Sequence, residues 1–363
     1  MSLVRRTLSL LRGASDGVAP GQVLVSRSTD VFENLALEQW LDSSSSPGAR
    51  RLLLWRNRPA VVIGRHQNPW AECDLAAARR RGVALARRRS GGGAVYHDLG
   101  NLNVTFLAPR EAYDRRRNLS VVTGALRRAR PGLDVLATER LDVVLNGSFK
   151  ISGSASRLSR TPPYHHCTLL HSADRSAPPP VLRPSCPGIH SNATPSVPSP
   201  VANLLDHDPT LQWDELLEAL VQQYNAEFGY DAVMAPVDPA DELAFPGVGQ
   251  LAAELRGWDW TFGRTPKFSV QSVLDLRDAT ATSCSARLRV EVKAGLVQSC
   301  ELDVPSHWLP GGAERRAGRR AGRGPVLPGS GAAAAVAVVM RAESGERRRR
   351  LHHLGDALVS AIG

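Results

Sequence analysis

Lysine is nearly absent from this chain of 363 residues: Lys150, Lys267 and Lys293 are the only three among 45 basic residues. Generic surface cations are written as arginine here, so each lysine calls for a physical reason. Cysteine is also sparse. Cys73, Cys167, Cys186, Cys284 and Cys300 include no CxxC pair, and an odd number cannot all be bridged within one chain, which argues for reduced thiols in a non-secretory compartment. Long apolar runs are missing too. The Ala/Val stretch from Gly331 to Met340 falls well short of the roughly eighteen residues that a spanning helix needs, so no membrane partner is expected. Metal-ligand spacing is lacking as well. His165 and His166 are adjacent and would alternate across a strand, and no third ligand stands at a suitable distance, so no tightly bound metal is expected.

What is present begins with a basic leader. MSLVRRTLSLLRGAS carries Arg5, Arg6 and Arg12 with no acid before Asp16, the composition of a mitochondrial transit peptide, and residues 1–20 are set apart from the fold on that ground. The formal charge of +10 suggests an anionic polymer as partner, but its distribution does not. The leader holds +3 of it and residues 311–350, a low-complexity Arg/Gly/Ala tract, hold +7. The remaining body is neutral, and aromatic residues are not interleaved with the C-terminal arginines, so no nucleic acid partner is expected.

Periodicity along the chain reads as mixed α and β. A strand at Gly21–Val25 precedes a helix capped by Thr29 or Asp30, and RLLLWRN and PAVVIGR read as strands on either side of a turn. Residues 71–82 read as one Ala-rich helix stopped by Gly82; AVYHD and LNVTFLAP read as a strand pair joined at Leu99 and Gly100. A helix follows from about Asn118 to Arg130, and then strands around an Asn146-Gly147 hairpin turn with Lys150 just beyond it. After the strand HHCTLLHS, Ser176–Pro200 is rich in proline and serine and reads as a surface loop or lid. Residues 212–228 form an amphipathic helix. WDWTFGRTPKFSV opens a second unit, in which RLRVEVKAGLVQSCELDV is a hairpin turning at Lys293, Ala294 and Gly295.

Three segments carry chemistry. In ARRRSGGGAVYHD, Gly91, Gly92 and Gly93 have no Cβ to block a ligand and can line an anion with backbone N–H groups, and Arg87–Arg89 precede them. In FKISGSASR a lysine is kept where arginine is the habit. An ammonium is a compact point charge that can follow a carbonyl or phosphate oxygen, whereas a guanidinium is a fixed fork; the alternative is an ordinary surface charge. In YHHCTLL, a buried, hydrogen-bonded histidine is the plainer reading, and Cys167 as a nucleophile would need a base and an oxyanion donor that the sequence does not show.

Taken in order, PAVVIGRHQNPWAEC, RRRSGGGAVYHDLGN, FKISGSA, YHHCTLL and WDWTFGRTPKF resemble the signature segments of the lipoate-protein ligase family, and within it the animal lipoyltransferases, from about Gly21 to Pro310. The resemblance implies an α+β fold: a biotin/lipoate-ligase-like catalytic domain over 21–250, with a mixed sheet flanked by helices, and a small C-terminal α+β accessory domain over 256–363. It implies lipoyl-AMP as bound substrate. Arg88 would lie near the phosphate and adenosine, with Gly92, Gly93, Val95 and Tyr96 as the nucleotide wall. Arg140 and Asp142 would contact the adenylate, and Thr168 and Ser196 would line the far side. Lys150 would be the catalytic cation, and Val61, Val62, Ile63 and the LNVTF strand are candidates for an apolar tunnel. The implied reaction moves a lipoyl group from lipoyl-AMP, or from the lipoylated glycine-cleavage H protein, to a lysine on lipoyl domains of E2 subunits of the pyruvate, 2-oxoglutarate and branched-chain dehydrogenases, in the mitochondrial matrix. An ATP-dependent lipoate ligase, or an octanoyltransferase of the same fold working through Cys167, is the competing reading.

Overall fold

Polar and apolar residues alternate along NLNVTFL, and the strand that they form lies inside the largest sheet. In the computed structural model, residues 21–44, 48–157, 163–176, 181–184, 186–277 and 283–303 are described. The leader and the Arg/Gly/Ala tract lie outside them. The chain divides into two units, one of Met1–Arg65, Ala84–Pro178 and Val197–Gly257, the other of His66–Val83, Pro179–Ser196 and Trp258–Gly363.

Strands are numbered β1–β16 and helices α1–α7 in chain order. The first unit contains β1 (Gln22–Ser26), β2 (Arg51–Trp55), β3 (Ala60–Ile63), β4 (Ala84–Arg87), β5 (Val95–His97) and β6 (Asn101–Leu107). Also in it are β7 (Val135–Ala137), β8 (Val143–Leu145), β9 (Phe149–Ser152), β10 (Ser154–Arg157), β11 (Tyr164–Leu170) and β13 (Met234–Val237). A mixed six-stranded sheet runs β10-β11-β6-β2-β1-β13, beside two three-stranded sheets, β4-β3-β5 and β7-β8-β9. Four helices complete this unit: α1 (Val31–Ser43), α4 (Arg115–Ala129), α5 (Trp213–Phe228) and α6 (Val248–Arg256).

One face of the large sheet presents Leu52 and Leu54 of β2 and Leu102, Val104 and Phe106 of β6. They pack with Leu119, Val122 and Leu126 of α4 and Leu216, Leu220 and Tyr224 of α5 in one apolar core. The helices form where local signals agree. Asp30 caps α1, its carboxylate accepting from the N–H groups of Phe32 and Glu33, and Gly229 ends α5 at φ +72°. Helix α4 starts three residues before the expected Asn118, because Asp114 accepts from the N–H groups of Arg116 and Arg117.

Several expectations need correction. AVYHD and LNVTFLAP are not paired with each other. Strand β5 pairs with β3, whereas β6 is already flanked on both sides, by β2 and β11. The strands expected on either side of the turn at residues 57–59 are present as β2 and β3, in different sheets. The single helix expected over 71–82 is two, α2 (Pro69–Glu72) and α3 (Leu75–Arg80), because Cys73 is extended and Asp74 caps a new start by accepting from Ala77 N–H at 2.7 Å. The Asn146-Gly147 turn is as expected, with φ of +50° and +68°.

The second unit holds α2, α3, α7 (Trp258–Thr261) and an antiparallel sheet in the order β12 (Ile189–Ser191), β14 (Phe268–Arg277), β15 (Ser283–Lys293) and β16 (Leu296–Asp303). The proline-rich segment is thus not wholly a loop, because Ile189–Ser191 forms an edge strand on β14. Trp70 packs against Phe262 and Phe268, with ring centroids 5.4 and 5.3 Å apart. The β15–β16 turn at Ala294 and Gly295 again has two positive φ angles, +51° and +70°.

Candidate active site

The triple glycine leaves β4 and returns into β5, so it sits where the parallel pair β3–β4 ends. Gly92 has φ +88°, a conformation that side chains oppose. Arg88 turns inward beneath this loop. Its Nε donates to Ser90 Oγ at 3.0 Å, Nη1 to the Val62 carbonyl at 3.0 Å, and Nη2 to the Gly91 and Gly93 carbonyls at 2.5 and 2.8 Å. Arg88, expected near the phosphate and adenosine, thus braces the glycine loop through two of the loop's own carbonyls. Burial lowers it to about 10, still a cation at neutral pH. With the carbonyls drawn inward, the N–H groups of Gly91, Gly92 and Gly93 donate to no protein acceptor among the described residues. That is the arrangement an anion needs.

The loop approaches a second loop closely. A Cβ on Gly64 would stand 2.1 Å from the Gly92 carbonyl oxygen, so residue 64 can only be glycine if the triple glycine is to lie there. On its other side, a Cβ on Gly92 would be 3.7 Å from the Ala155 Cβ on β10. Strand β10 begins directly after Gly153, and a Cβ on Gly153 would stand 2.9 Å from Lys150 Cε and 3.1 Å from Nζ. The glycine loop and Lys150 therefore converge on the start of β10.

Lys150 is half-buried on β9, and its Nζ pairs with Asp142 Oδ1 at 2.8 Å. Its backbone is fixed as well, donating to the Pro200 carbonyl at 3.0 Å and accepting from Ala202 N–H at 3.1 Å. Asp142 is held by a tight turn. Its carbonyl accepts from Thr138 N–H at 2.8 Å, and its own N–H donates to Thr138 Oγ1 at 3.2 Å. Leu141, just before it, is forced to φ +65°, a cost that the surrounding bonds hold in place. Thr168 accepts from Gly153 N–H at 3.2 Å, bracing the same glycine. Arg140 is exposed and makes no hydrogen bond or ion pair among the described residues, so its guanidinium is open to an anion. Val95 and Tyr96 lie half-buried on β5 opposite Val62 and Val61 of β3, which with Ile63 are buried. Ser196 belongs to the second unit, where its Oγ accepts from Gln67 Nε2 at 3.1 Å.

Replacing Gly153 by alanine should push the Lys150 ammonium off Asp142 while leaving β9 intact. A drop in kcat of about tenfold with an unchanged denaturation midpoint is expected, from the loss of aim of one charge-assisted contact. Wild-type kcat in that variant would show that Lys150 tolerates displacement.

Behind the loop lies a polar layer that sequence reasoning missed. The polar positions of β6, Asn101, Asn103 and Thr105, are all buried, although alternation of this kind ordinarily marks a wet face. Ser90 Oγ lies 2.8 Å from His166 Nε2, and His166 Nδ1 lies 2.8 Å from Glu38 Oε1, which also accepts from Thr105 Oγ1 at 2.7 Å. A carboxylate can only accept, so Nδ1 donates to Glu38. The chain Arg88–Ser90–His166–Glu38 thus anchors the loop to α1. His166 is a hydrogen-bonded buried histidine, the plainer of its two readings. The one hint of this layer in the sequence was a glutamate, Glu38, on the face of α1 that carries Leu35 and Leu41.

Two further histidines are buried with an amide in place of a carboxylate beside Nδ1, His97 at 2.9 Å from Asn57 Nδ2 and His165 at 3.4 Å from Asn118 Nδ2. Burial, then Arg88 and His166, push His97 down to about 3; burial, then His166 and Arg115, do the same to His165. In the unfolded chain each titrates near 6.5. Below that value the unfolded state binds protons that the folded state refuses, so stability falls as pH drops from about 6.5 toward 3. At pH 5, unfolding should take up about two protons through this pair. Denaturant midpoints measured across this range should flatten by about half that uptake in His165→Gln; an unchanged slope would remove His165 from the account.

Cys167 is buried, and burial pushes its thiol up to about 12. Burial thus disfavours the thiolate that a Cys167 thioester would need. Among the described residues, no group of three or more His, Cys, Asp or Glu side chains could hold a metal ion.

Comparison with known proteins places these features. Residues 30–225 match the family model of the lipoyl protein ligase A/B catalytic domain. The chain is 47% identical over 291 residues to the mitochondrial lipoyl amidotransferase LIPT1 of Mus musculus, covering 80% of this chain and 78% of that protein. Among solved structures, P. falciparum LipL1 in complex with lipoate matches with a TM-score of 0.58 and 25% identity, over 78% of this chain and 84% of that one. A bipartite lipoate protein ligase from Thermoplasma acidophilum, studied with its E2 lipoyl domain, matches with a TM-score of 0.56 and 26% identity, over 67% of this chain and 96% of that one.

Proposed function

The chain belongs to the lipoate-protein ligase family, and from that premise we propose that it is a mitochondrial lipoyltransferase that receives its acyl group as lipoyl-AMP and holds it with Lys150. It is an acyltransferase: it moves a lipoyl group onto a protein lysine. The relative named as a lipoyl amidotransferase supports transfer over ATP-dependent activation. The single observation that carries the site assignment is the Lys150–Asp142 pair, which converges with the triple-glycine loop at the start of β10.

The reaction follows from those groups. In the mixed anhydride lipoyl-AMP, the acceptor's neutral amine forms a bond to the acyl carbon; the bond from that carbon to the phosphate oxygen breaks, AMP leaves with the electron pair, and the amide nitrogen gives up a proton. Negative charge grows on the carbonyl oxygen and then on the phosphate. An ammonium held by Asp142 can face both, and the free N–H groups of the glycine loop can receive the phosphate. Arg140 adds an exposed cation to the adenylate side. Val95 and Tyr96 wall the nucleotide, and the buried β3 residues Val61, Val62 and Ile63 supply apolar surface for the lipoyl tail.

The acceptors proposed are the lipoyl domains of E2 subunits of the 2-oxoacid dehydrogenases, with the glycine-cleavage H protein as an alternative donor, in the mitochondrial matrix. A transfer assay on apo lipoyl domain tests this with three donors: lipoate plus ATP, lipoyl-AMP and lipoyl-H protein. Transfer from lipoyl-AMP and none from lipoate plus ATP is expected. Equal use of lipoate plus ATP would make the protein a complete ligase, and octanoyl-AMP as the preferred donor would make it an octanoyltransferase.

A further inference from the structure

The β7-β8-β9 sheet has two unlike faces. Val135, Val143, Leu145 and Ile151 are buried in the core of the first unit. On the other face the register sets Leu136 opposite Val144, Val144 opposite Lys150, and Lys150 opposite Val201. These four residues form one line across four adjacent chain segments, roughly 14 Å long at about 4.8 Å per strand. Leu136 is 57% exposed and Val201 41%, and Val144 is half-buried. A sheet face turned to water ordinarily alternates to polar residues, yet this one carries leucine and two valines on both sides of its single cation.

We propose that this row is the docking face for the acceptor protein domain, with Leu136, Val144 and Val201 as its apolar contacts. The inference rests on the reading of Lys150 as the holder of the acyl carbonyl. The occupant follows from reach. The attacking amine must meet the carbonyl that Lys150 holds, and a lysine's four-carbon stem is little longer than one strand spacing. The acceptor's backbone must therefore lie within one or two strands of Lys150, which is where Val144 and Val201 stand, with Leu136 one strand farther. A free small nucleophile would need none of this surface. A folded domain would cover it, and aliphatic side chains beside the reacting lysine give affinity without placing a competing charge there.

The test uses the full-length chain with Leu136→Glu, Leu136→Lys and Leu136→Met. Two reactions are followed: lipoyl transfer from lipoyl-AMP to apo lipoyl domain, and hydroxylaminolysis of lipoyl-AMP, in which hydroxylamine takes the acyl group without any partner protein. Both charged variants should raise the KM for lipoyl domain about tenfold, as placing a charge at an apolar contact of an interface does, with kcat little changed. Leu136→Met should keep the wild-type KM, and all three should keep the wild-type rate of hydroxylaminolysis and denaturation midpoint. Unchanged KM in both charged variants overturns the docking face while leaving the transferase reading intact. Opposite effects of Glu and Lys overturn the apolar contact in favour of a charge contact. Absence of both reactions in the wild-type protein overturns the transferase reading, and the docking face with it.

Discussion

Lys150→Ala is expected to lower lipoyl transfer from lipoyl-AMP by about 10²–10³-fold, the usual cost of removing one preorganised donor from a developing oxyanion. The fold should survive. Lys150 is half-buried, its strand is held by backbone bonds to Pro200 and Ala202, and its one ion-pair partner, Asp142, is left partly exposed to water. Lys150→Arg distinguishes charge from shape. A guanidinium can still pair with Asp142, but the space beside Gly153 fits a slender chain, as the close Cε and Nζ distances show. Arginine should therefore recover the charge without the aim, and most of the deficit should persist. The measurement is single-turnover transfer at saturating lipoyl-AMP. Wild-type rates in a folded Lys150→Ala protein would remove Lys150 from the chemistry.

Gly64→Ala is expected to damage both the fold and the glycine loop. Its Cβ would meet the Gly92 carbonyl oxygen at 2.1 Å, and that atom is backbone, unable to swing aside like a side chain. The loop would have to lift, and Arg88 grips it through Gly91 and Gly93, so the strain would pass to Ser90 and His166. A stability loss of about 1–3 kcal/mol, the range for overpacking, should accompany a rise in KM for lipoyl-AMP of tenfold or more. Gly91→Ala is the control for stability. A Cβ there meets nothing within 4 Å and its φ is not positive, so its denaturation midpoint should match the wild type. Equal midpoints for Gly64→Ala and Gly91→Ala would contradict the close approach.

Local chemistry was legible in the sequence and long-range placement was not. Asn146-Gly147 and Ala294-Gly295 announced their turns because a two-residue reversal demands positive φ from the residues themselves. Lys150 was visible through composition, as a residue type that the rest of the chain avoids. Nothing local, however, says that β5 pairs with β3 in place of β6, since that choice is made by β2 and β11, which occupy both edges of β6. The same holds within the site. Gly64 and Gly153 are required by atoms of Gly92 and Lys150 that approach only after folding, so neither stands out as a motif. That Arg88 also grips the loop's own carbonyls is not legible locally, because a sequence cannot show which oxygens will stand nearest its guanidinium. The burial of the polar stripe of β6 is illegible for a related reason: Glu38, which receives Thr105, is 67 residues away.

The pairing of Lys150 with Asp142 also bears on what the enzyme does to itself. An acyl phosphate acylates any free amine within reach. The segments Met1–Arg65, Ala84–Pro178 and Val197–Gly257 contain a single lysine, and it is the one proposed to hold the reactive group. Held as an ammonium on a carboxylate, it has no lone pair with which to attack. In the proposed reaction, the first unit thus offers the activated acyl group no free side-chain amine of its own to capture.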